Sequence, residues 1–353
     1  MFFESVRTER GCMSYLIGCE KTRAALLADP DLGELDRYLA LVSNHGLRLH
    51  YLLDTHTHAD HFSGVRLLAA RLGVPIVMHR LAPAPFVDLR VEDGEELIVG
   101  ALRVAIHHTP GHTRDSICAA VDGHLLTGDT LLLGSTGRTD LPTGDPAELY
   151  ESLFGRLLQL DGSLLVHPAH NYKNLPPTTL DEQKAKNARL AQRDRGAFVA
   201  MMQSLDLDMP QHLTESLRTN STGGKSVEQI IREAAGRVSF MSMAELRRRI
   251  ESGKPGLTVL DVREADAFAA GHVPGALHLP RGQIELRVDS VLPDPTVRVL
   301  ITCELGKIST IAAATLRDMG FVSAIALDGG IKAWREAGYP LETGKPSAGA
   351  SRG

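Results

Sequence analysis

The segment that most constrains the fold is short and unusually rich in metal-binding side chains. It reads LLDTHTHADHFSG, from Leu52 to Gly64, and holds three histidines and two aspartates. An apolar run leads into it and the helical pattern GVRLLAARLG follows it, which predicts a strand, a ligand-bearing loop and a helix. Polar side chains just past a strand end are where α/β folds build their sites. The segment therefore predicts an α/β fold with a metal centre at a strand end.

Three more candidate ligands lie downstream, each just after a predicted strand. They occur in the sequences TPGHT, TGDT and HPAH. Imidazole and carboxylate groups suit borderline divalent metals such as zinc or iron. We expect the strand ends to bring together a set of seven ligands: His56, His58, Asp60, His61, His112, Asp129 and His170.

A chain of 353 residues predicts two domains. The segment LRTNSTGGKS is rich in Ser, Thr and Gly and is predicted as a loop or linker. A new α/β pattern begins near Ser239, with a helix in MSMAELRRRI and strands in LTVLDVRE and RVLITC. We therefore predict one domain over residues 1–237 and a second over residues 238–353 that ends in a short tail.

Charge and hydropathy exclude several classes of partner. The 38 basic and 43 acidic residues are not segregated into basic blocks, which predicts no nucleic-acid binding. No apolar run approaches the roughly 20 residues of a membrane-spanning helix, and the N-terminus lacks an apolar core of signal-peptide length. These features predict a cytoplasmic protein with no membrane partner. Cys12, Cys19 and Cys118 are predicted to be small buried hydrophobic residues.

The motifs THTHADH, TPGHT, GD and PAH, in this order, resemble the metallo-β-lactamase superfamily over residues 1–237. The resemblance implies an αββα sandwich of two mixed sheets flanked by helices. It does not specify a reaction, because this superfamily contains hydrolases, nucleases and oxygenases.

Counting ligands leaves the number of metal ions open. In the dinuclear alternative, typical of glyoxalase II-type thioester hydrolases, His56, His58 and His112 hold one ion. The second ion is then held by Asp60, His61 and His170, with Asp129 bridging. In the mononuclear alternative, His56, His112 and Asp129 form the facial triad of a non-haem Fe(II) oxygenase. Persulfide dioxygenases of the superfamily resemble this arrangement, with one Fe(II) per chain and His58, Asp60, His61 and His170 as supporting groups.

Two features favour the oxygenase. The loop GSTGRTDLPTGD resembles the GRTD loop of persulfide dioxygenases and carries Arg138, which we expect to bind a substrate carboxylate. The segment KNARLAQRDRGAFVAMMQSLDL resembles their short helical tail. Arg114 and Asn171 stand where the family often has acidic residues, so Arg114, Tyr172 and Lys173 are weaker candidate contacts for an anionic substrate.

A second site is predicted in the C-terminal half. The segments VLDVREADAFAAGHVPGALHLP and LDGGIKAW resemble a rhodanese domain, which implies a parallel sheet and a catalytic thiol at Cys303. The resemblance implies that Asp261 and Arg263 are structural supports, while the role of His278 is open. In such folds, the loop backbone and a helix N-terminus stabilise the thiolate, which accepts and donates a sulfane sulfur.

The loop after Cys303 departs from the rhodanese pattern. It continues with Glu304, Leu305, Gly306, Lys307 and Ile308, whereas active rhodaneses commonly carry a basic residue where Ile308 stands. We expect Glu304 to repel the thiosulfate dianion and Lys307 to compensate in part. A catalytically weak domain kept for docking or regulation is the alternative.

The two resemblances share a chemistry, since both domains handle glutathione persulfide. The expected function is oxidation of glutathione persulfide by O2 to sulfite and glutathione, with sulfane sulfur moved between thiosulfate and glutathione by Cys303. The rival hypothesis is a dinuclear hydrolase of glutathione thioesters with a regulatory rhodanese domain. Members of the superfamily often pair, so a homodimer is expected as well.

Overall fold

The computed structural model describes residues 1–210, 212–253 and 256–344. The chain forms two compact units, Met1–Gly224 and Lys225–Gly353. The predicted short tail from residue 345 onward lies outside the described residues. No helix of the described residues is both long enough and apolar enough to cross a lipid bilayer.

The first unit contains two large mixed sheets. One has the order β1-β2-β3-β4-β5-β6, and the other has the order β13-β10-β9-β8-β7. Their strands, with the small pair β11 and β12, are β1 (Phe2–Arg7), β2 (Met13–Gly18), β3 (Ala24–Ala28), β4 (Arg48–Leu53), β5 (Ile76–His79), β6 (Leu89–Val91), β7 (Glu96–Val99), β8 (Leu102–His108), β9 (Ile117–Val121), β10 (His124–Gly128), β11 (Leu131–Leu132), β12 (Ser135–Thr136) and β13 (Leu165–Pro168).

Local sequence accounts for the turns that connect these strands. Asp122 and Gly123 adopt φ angles of 44° and 83°, as the two-residue turn between β9 and β10 requires. A turn at Gly100, with φ of 65°, joins β7 to β8. Glycine is the residue that most readily adopts such a φ.

Helices cover the outer faces of the two sheets. They are α1 (Leu35–Asn44), α2 (Val65–Leu72), α3 (Pro146–Tyr150), α4 (Leu180–Lys186), α5 (Arg195–Gln203) and α6 (Leu213–Thr222). Asp145 caps α3, since it accepts hydrogen bonds from the main-chain N–H groups of Ala147 and Glu148. Beyond α3 the chain continues as a π-helical turn, Glu151–Arg156.

Three apolar clusters hold the first unit together. The central one, which includes Leu26, Val104 and Ile117, fills the space between the two sheets. A second packs α1 and α2 against the outer face of the six-stranded sheet, and a third packs α3 and α5 against the five-stranded sheet. The layers are helix, sheet, sheet and helix, which confirms the predicted αββα sandwich.

One secondary-structure prediction is wrong. Most of the segment LRTNSTGGKS, predicted as a loop or linker, lies in α6, which ends only where Gly223 adopts a φ of 75°. Ser216, Thr219 and Asn220 of this helix are buried, so tertiary packing outweighs the weak helix propensity of its Ser, Thr and Asn residues.

The second unit is built on a parallel sheet with the order β14-β18-β17-β15-β16, as expected. Its elements are α7 (Val227–Ala235), β14 (Ser239–Met241), α8 (Met243–Glu251), β15 (Thr258–Asp261), α9 (Ala265–Ala270), β16 (Leu277–His278), α10 (Ile284–Val291), β17 (Val299–Thr302), α11 (Lys307–Asp318), β18 (Ile325–Leu327) and α12 (Gly330–Glu336). Helix α7 packs against α11, so the compact units divide before the predicted boundary at residues 237 and 238.

Candidate functional sites

The strand ends of the first unit bring the expected ligands into one buried region. His56 and His58 follow β4, His112 follows β8, Asp129 follows β10 and His170 follows β13. Each of these five residues is at most 8% exposed. Metal-binding atoms of the region fall into three groups, each with its members' ligand atoms within 4.8 Å of one another.

The first group is His56, His112 and Asp129. The Nε2 atom of His112 lies 3.5 Å from Oδ2 of Asp129, and Nε2 of His56 is buried with no hydrogen-bond partner within the ranges that the structure describes. Burial would raise the pKa of Asp129, but the neighbouring histidines outweigh burial and lower it, so this carboxylate is ionised. Burial lowers the pKa of His56, which therefore stays neutral. These are the protonation states that metal ligands need.

Hydrogen bonds fix which nitrogen of each imidazole faces the centre. Nδ1 of His56 lies 3.0 Å from Oγ1 of Thr55, and Nδ1 of His112 lies 2.8 Å from the main-chain oxygen of Arg138. Since the Arg138 carbonyl can only accept, Nδ1 of His112 carries the proton and leaves its Nε2 free to bind a metal. Thr55 supports the same tautomer for His56.

Asp29 anchors two histidines of the site, and sequence reasoning did not identify it. Its carboxylate accepts hydrogen bonds from the main-chain N–H and the hydroxyl of Thr55, at 2.7 and 2.9 Å. The carboxylate also lies 3.1 Å from Nε2 of His58. Asp29 has a left-handed φ of 49° at the end of β3, and this position in the sequence LLADPDL was the available signal.

His58 belongs to a different group from the triad. Its ligand atom clusters with those of Asp29 and Asp54, and Nε2 of His58 lies 3.8 Å from Oδ1 of Asp54. Asp29 and Asp54 both face Nε2, while Nδ1 is buried with no hydrogen-bond partner in the described part of the chain. Burial, together with Asp29, raises the pKa of Asp54 to about 8.

The third group combines Asp60, His61 and His170 with Cys12. His170 lies between two carboxylates, with Nδ1 2.7 Å from Asp129 and Nε2 2.7 Å from Asp60. Burial would lower the pKa of His170, but these carboxylates outweigh it and raise the pKa well above its usual range. His170 therefore carries a proton in this structure, as a group that supports Asp129 would.

Cys12 is buried as expected but is not inert packing. It lines the cavity over the triad, and its Sγ lies 4.0 Å from Oδ2 of Asp60. Burial would raise the pKa of its thiol, but His170 and His61 outweigh burial and lower the pKa to about 6. Cys118 behaves differently, since burial raises the pKa of its thiol to about 12.

Asn220 of α6 ties down the loop that carries the histidines. Its Nδ2 donates to the main-chain oxygens of His58 and His61, each at 2.8 Å, and its Oδ1 accepts from the Ser63 N–H at 3.1 Å. The sequence analysis missed this role because Asn220 lies in the segment predicted as a loop.

Two adjoining cavities, each of about 410 Å³, open over the triad. They share Asp129, Arg138, Tyr172 and Asp208. The first reaches His112, Cys12 and Asp60, and the second extends past Lys173 to Arg189. A substrate can therefore place a reactive atom near Asp129 and extend away from it.

The arginines near these cavities differ in whether a carboxylate of the protein already binds them. Arg138 is held by both oxygens of Asp140, at 2.7 and 2.6 Å, and by the main-chain oxygen of Asp208 at 2.7 Å. Arg189, which was not among the expected contacts, has no carboxylate partner among the described residues, and its guanidinium donates to Sδ of Met202 at 3.3 Å. Arg114 is exposed and lines neither cavity.

In the second unit, β17 delivers Cys303 to the start of α11. The loop from Cys303 to Ser309 closes on itself, because the Ser309 N–H donates to Sγ of Cys303 at 3.1 Å and the Ser309 hydroxyl lies 3.4 Å from it. Gly306 has a φ of 81°, as this tight loop requires. The thiol is only 3% exposed, at the N-terminus of a twelve-residue helix.

Asp261 and Arg263 form a buried ion pair, with Nη2 of Arg263 2.7 Å from Oδ2 of Asp261. Arg263 also reaches Glu304, at 3.0 Å, and Arg335 approaches Glu304 from α12 at 3.4 Å. Nε2 of His278 lies 2.9 Å from the main-chain oxygen of Arg263, so His278 supports this network. The Glu304 carboxylate is therefore paired with two arginines.

The residues of the first group fit a divalent metal. The imidazoles of His56 and His112 and the ionised carboxylate of Asp129 are an Fe(II) donor set, and zinc also binds such ligands. The buried Nε2 of His56, which has no hydrogen-bond partner among the described residues, is the kind of atom that a metal satisfies.

Comparison with known proteins agrees with both units. Residues 7–170 match the metallo-beta-lactamase superfamily, and residues 242–337 match the rhodanese-like domain. A mitochondrial persulfide dioxygenase, ETHE1, of Homo sapiens is 36% identical over 214 residues, which cover 60% of this chain and 84% of that protein. A hydroxyacylglutathione hydrolase of Anaeromyxobacter dehalogenans is 39% identical over 173 residues, covering 49% of this chain and 66% of that protein.

A solved structure extends the comparison. The crystal structure of ETHE1 from Myxococcus xanthus superimposes with a TM-score of 0.62 and 36% identity, covering 64% of this chain and all of that one. The chain belongs to the metallo-β-lactamase superfamily and, within it, to the family of the persulfide dioxygenases, with a rhodanese-like domain in its C-terminal half.

Proposed function

We propose that the first unit oxidises glutathione persulfide with O2 and water to sulfite and glutathione, at a single Fe(II). The observation that carries this proposal is the grouping of His56, His112 and Asp129 apart from His58, whose Nε2 faces Asp29 and Asp54. Fe(II) held by these three residues would supply open coordination positions for dioxygen and a sulfur anion together.

The surrounding residues have separate tasks in this proposal. Thr55 and the Arg138 carbonyl hold the ligand imidazoles in the tautomer that leaves Nε2 free. Protonated His170 keeps Asp129 ionised and holds a proton between Asp129 and Asp60. Asn220 fixes the loop on which His58, Asp60 and His61 are carried.

The carboxylates of glutathione lie several bonds from its sulfur, and a cationic side chain lies in the wall of the second cavity. Arg189 lines its wall, is half-buried and lacks a carboxylate partner among the described residues. A substrate carboxylate there would meet an unpaired planar guanidinium. We therefore place the carboxylate contact at Arg189, with Lys173 and Tyr172 beside it, whereas Arg138 acts through Asp140 to shape the wall.

The second unit is proposed to transfer sulfane sulfur between thiosulfate and glutathione through a persulfide on Cys303. The loop N–H of Ser309 and the N-terminus of α11 stabilise the thiolate that this chemistry needs. The domain would supply the substrate of the oxygenase or take up the sulfite that the oxygenase releases.

A dinuclear thioester hydrolase remains the second candidate, because a specific observation favours it. Cys12, Asp60, His61 and His170 bring four ligand atoms together beside the triad. The identity to a hydroxyacylglutathione hydrolase points to the same reaction.

Metal content and oxygen uptake, measured on one preparation, separate the two candidates. Protein purified without oxygen should contain about one iron per chain and consume O2 with glutathione persulfide. Asp129→Ala should lose both the iron and the uptake, while His50→Ala, at an exposed histidine outside the site, should retain them. Two zinc ions per chain, thioester hydrolysis and no O2 uptake would establish the hydrolase instead. The homodimer and the cytoplasmic location stay predictions.

A further inference from the structure

The loop around Cys303 contains a carboxylate, Glu304, that engages two arginines of the same unit. Glu304 is bound by Arg263 at 3.0 Å and by Arg335 at 3.4 Å. Arg263 is itself committed to Asp261 and to the main-chain oxygen of Gly271, both at 2.7 Å. Neither arginine therefore offers a free charge to an anion that approaches the thiol.

The segment that follows Cys303 carries little other positive charge. Lys307 is the one cationic residue between Cys303 and Ser309 in the sequence. An inorganic dianion would bring both of its negative charges next to Glu304, with Lys307 and the loop N–H groups to balance them. An organic hydropersulfide brings at most one charge to the thiol, because the carboxylates of glutathione lie several bonds from its sulfane sulfur.

The loop also exposes apolar surface. Leu305, in the short loop that closes over the thiol, is 55% exposed, and Ile308, in the first turn of α11, is 46% exposed. Methylene groups of an organic sulfur compound can pack on these side chains, whereas the oxygens of thiosulfate would lose water there without compensation.

We propose that Glu304, Leu305 and Ile308 determine the donor specificity of Cys303 and favour an organic hydropersulfide over thiosulfate. This inference rests on the proposed sulfur-transfer function of the domain and names its preferred substrate class. The Cys303 thiolate attacks the terminal sulfur of R–S–SH, the S–S bond of the donor breaks, and R–S⁻ leaves as Cys303 becomes Cys–S–SH. The step exchanges one S–S bond for another, so it needs no added oxidant or reductant.

The test measures how fast each donor adds one sulfur atom to Cys303 in the full-length protein, read by mass spectrometry of the intact chain. Glutathione persulfide should react with a kcat/KM at least about tenfold above that of thiosulfate, which corresponds to about 1.4 kcal/mol. Glu304→Gln should raise kcat/KM for thiosulfate about tenfold, chiefly through KM, because it releases both arginines. The rate with glutathione persulfide should change much less.

Two further variants keep the result interpretable. Glu336→Gln removes an exposed carboxylate of α12 that lies 3.9 Å from Lys332, outside the Glu304 network, and should leave both rates unchanged. Ile308→Arg adds a cation to the loop at an exposed position, and should increase the thiosulfate rate while lowering the glutathione persulfide rate.

The outcomes distinguish an error in the assigned donor specificity from an error in the sulfur-transfer function itself. If Cys303 accepts sulfur from both donors and Glu304→Gln leaves their ratio unchanged, the specificity assignment is wrong while sulfur transfer stands. If the wild-type protein accepts sulfur from neither donor, the sulfur-transfer function itself is wrong.

Discussion

At the scale of single residues, Asp29 connects the metal ligands to the rest of the sandwich. The Asp29 carboxylate accepts a hydrogen bond from the Thr55 hydroxyl, whose oxygen lies 3.0 Å from Nδ1 of His56. The same carboxylate lies 3.1 Å from Nε2 of His58. Because an imidazole can bind a metal only through a nitrogen without a proton, a residue that fixes the tautomer controls metal affinity without touching the metal.

Replacing Asp29 by Asn should weaken metal binding. The amide keeps the shape of the side chain but loses the charge that orders Thr55 and His58, and we expect metal affinity to fall about 10- to 100-fold. The measurement is an iron titration of the metal-free protein. Asp36→Asn, at a fully exposed carboxylate on α1, is the control. Equal affinity in wild type and Asp29→Asn would contradict the role assigned to Asp29.

Asp54 should make the stability of the metal-free protein depend on pH. Its pKa is about 8 in the folded chain, above its ordinary value of 3.8, so the folded state holds a proton that the unfolded state releases. Its contribution to stability is complete below about pH 4 and is lost as the pH rises through 8, at about 1.4 kcal/mol per pH unit. Asp54→Asn should flatten this part of the curve in denaturant unfolding measured from pH 5 to 9. Identical slopes in the two proteins would refute it.

Among the structural elements, α6 and the loop after β12 each contact a segment that carries candidate ligands. Helix α6 contributes Asn220 beneath the histidine loop. The loop after β12 begins at Gly137, where a Cβ atom would lie 1.8 Å from the main-chain oxygen of Asp129. Asn220 joins α6 to the histidine loop, which is distant in sequence, and Gly137 packs closely on the main chain of Asp129. A small change at either position should therefore displace the metal ligands.

Asn220→Ala should destabilise the first unit by about 3 kcal/mol, because it removes three hydrogen bonds and leaves buried main-chain oxygens without a donor. Iron content should fall in parallel. Ser221→Ala, at the next position of the same helix, serves as the matched control. An Asn220→Ala protein with wild-type unfolding and wild-type iron would show that the tether is dispensable.

Gly137→Ala should displace Asp129 and abolish iron binding. The added methyl group cannot coexist with the Asp129 carbonyl in the present geometry, and that backbone is held by the sheet. Iron content and O2 uptake are the readouts. Gly155→Ala, at a glycine of the same unit whose added Cβ would meet Oε2 of Glu151 at an ordinary 3.6 Å, controls for a general loss of glycine. Full iron content in Gly137→Ala would contradict the expected displacement.

At the scale of the whole molecule, two compact units each carry one candidate chemistry. Each unit has its own apolar core and its own sheet. The metal ligands all lie in the first unit, and Cys303 with its loop lies in the second. The two activities should therefore be separable by mutation in the full-length chain.

Cys303→Ser should abolish sulfur transfer between thiosulfate and glutathione and leave O2 uptake with glutathione persulfide unchanged. Asp129→Ala should do the reverse. Both rates are measured on the same preparations, so each activity serves as the folding control for the other. Sulfur transfer that survives Cys303→Ser would remove this residue from the mechanism.

The order of the elements and the ligands at their ends could be read from the residues alone. Strand and helix periodicity, the Asp122–Gly123 turn and the cap at Asp145 are local features, and local features are readable along the chain. The same holds for His56, His112, Asp129 and Cys303, since each follows an apolar strand.

Which groups meet depends on how distant segments pack. Asp29, Asn220 and Arg189 lie at the sites through contacts across long stretches of chain, and packing makes a predicted linker part of α6. The same packing pairs Arg138 with Asp140 and Glu304 with two arginines. Such pairings depend on distance in space, which residue order does not encode locally.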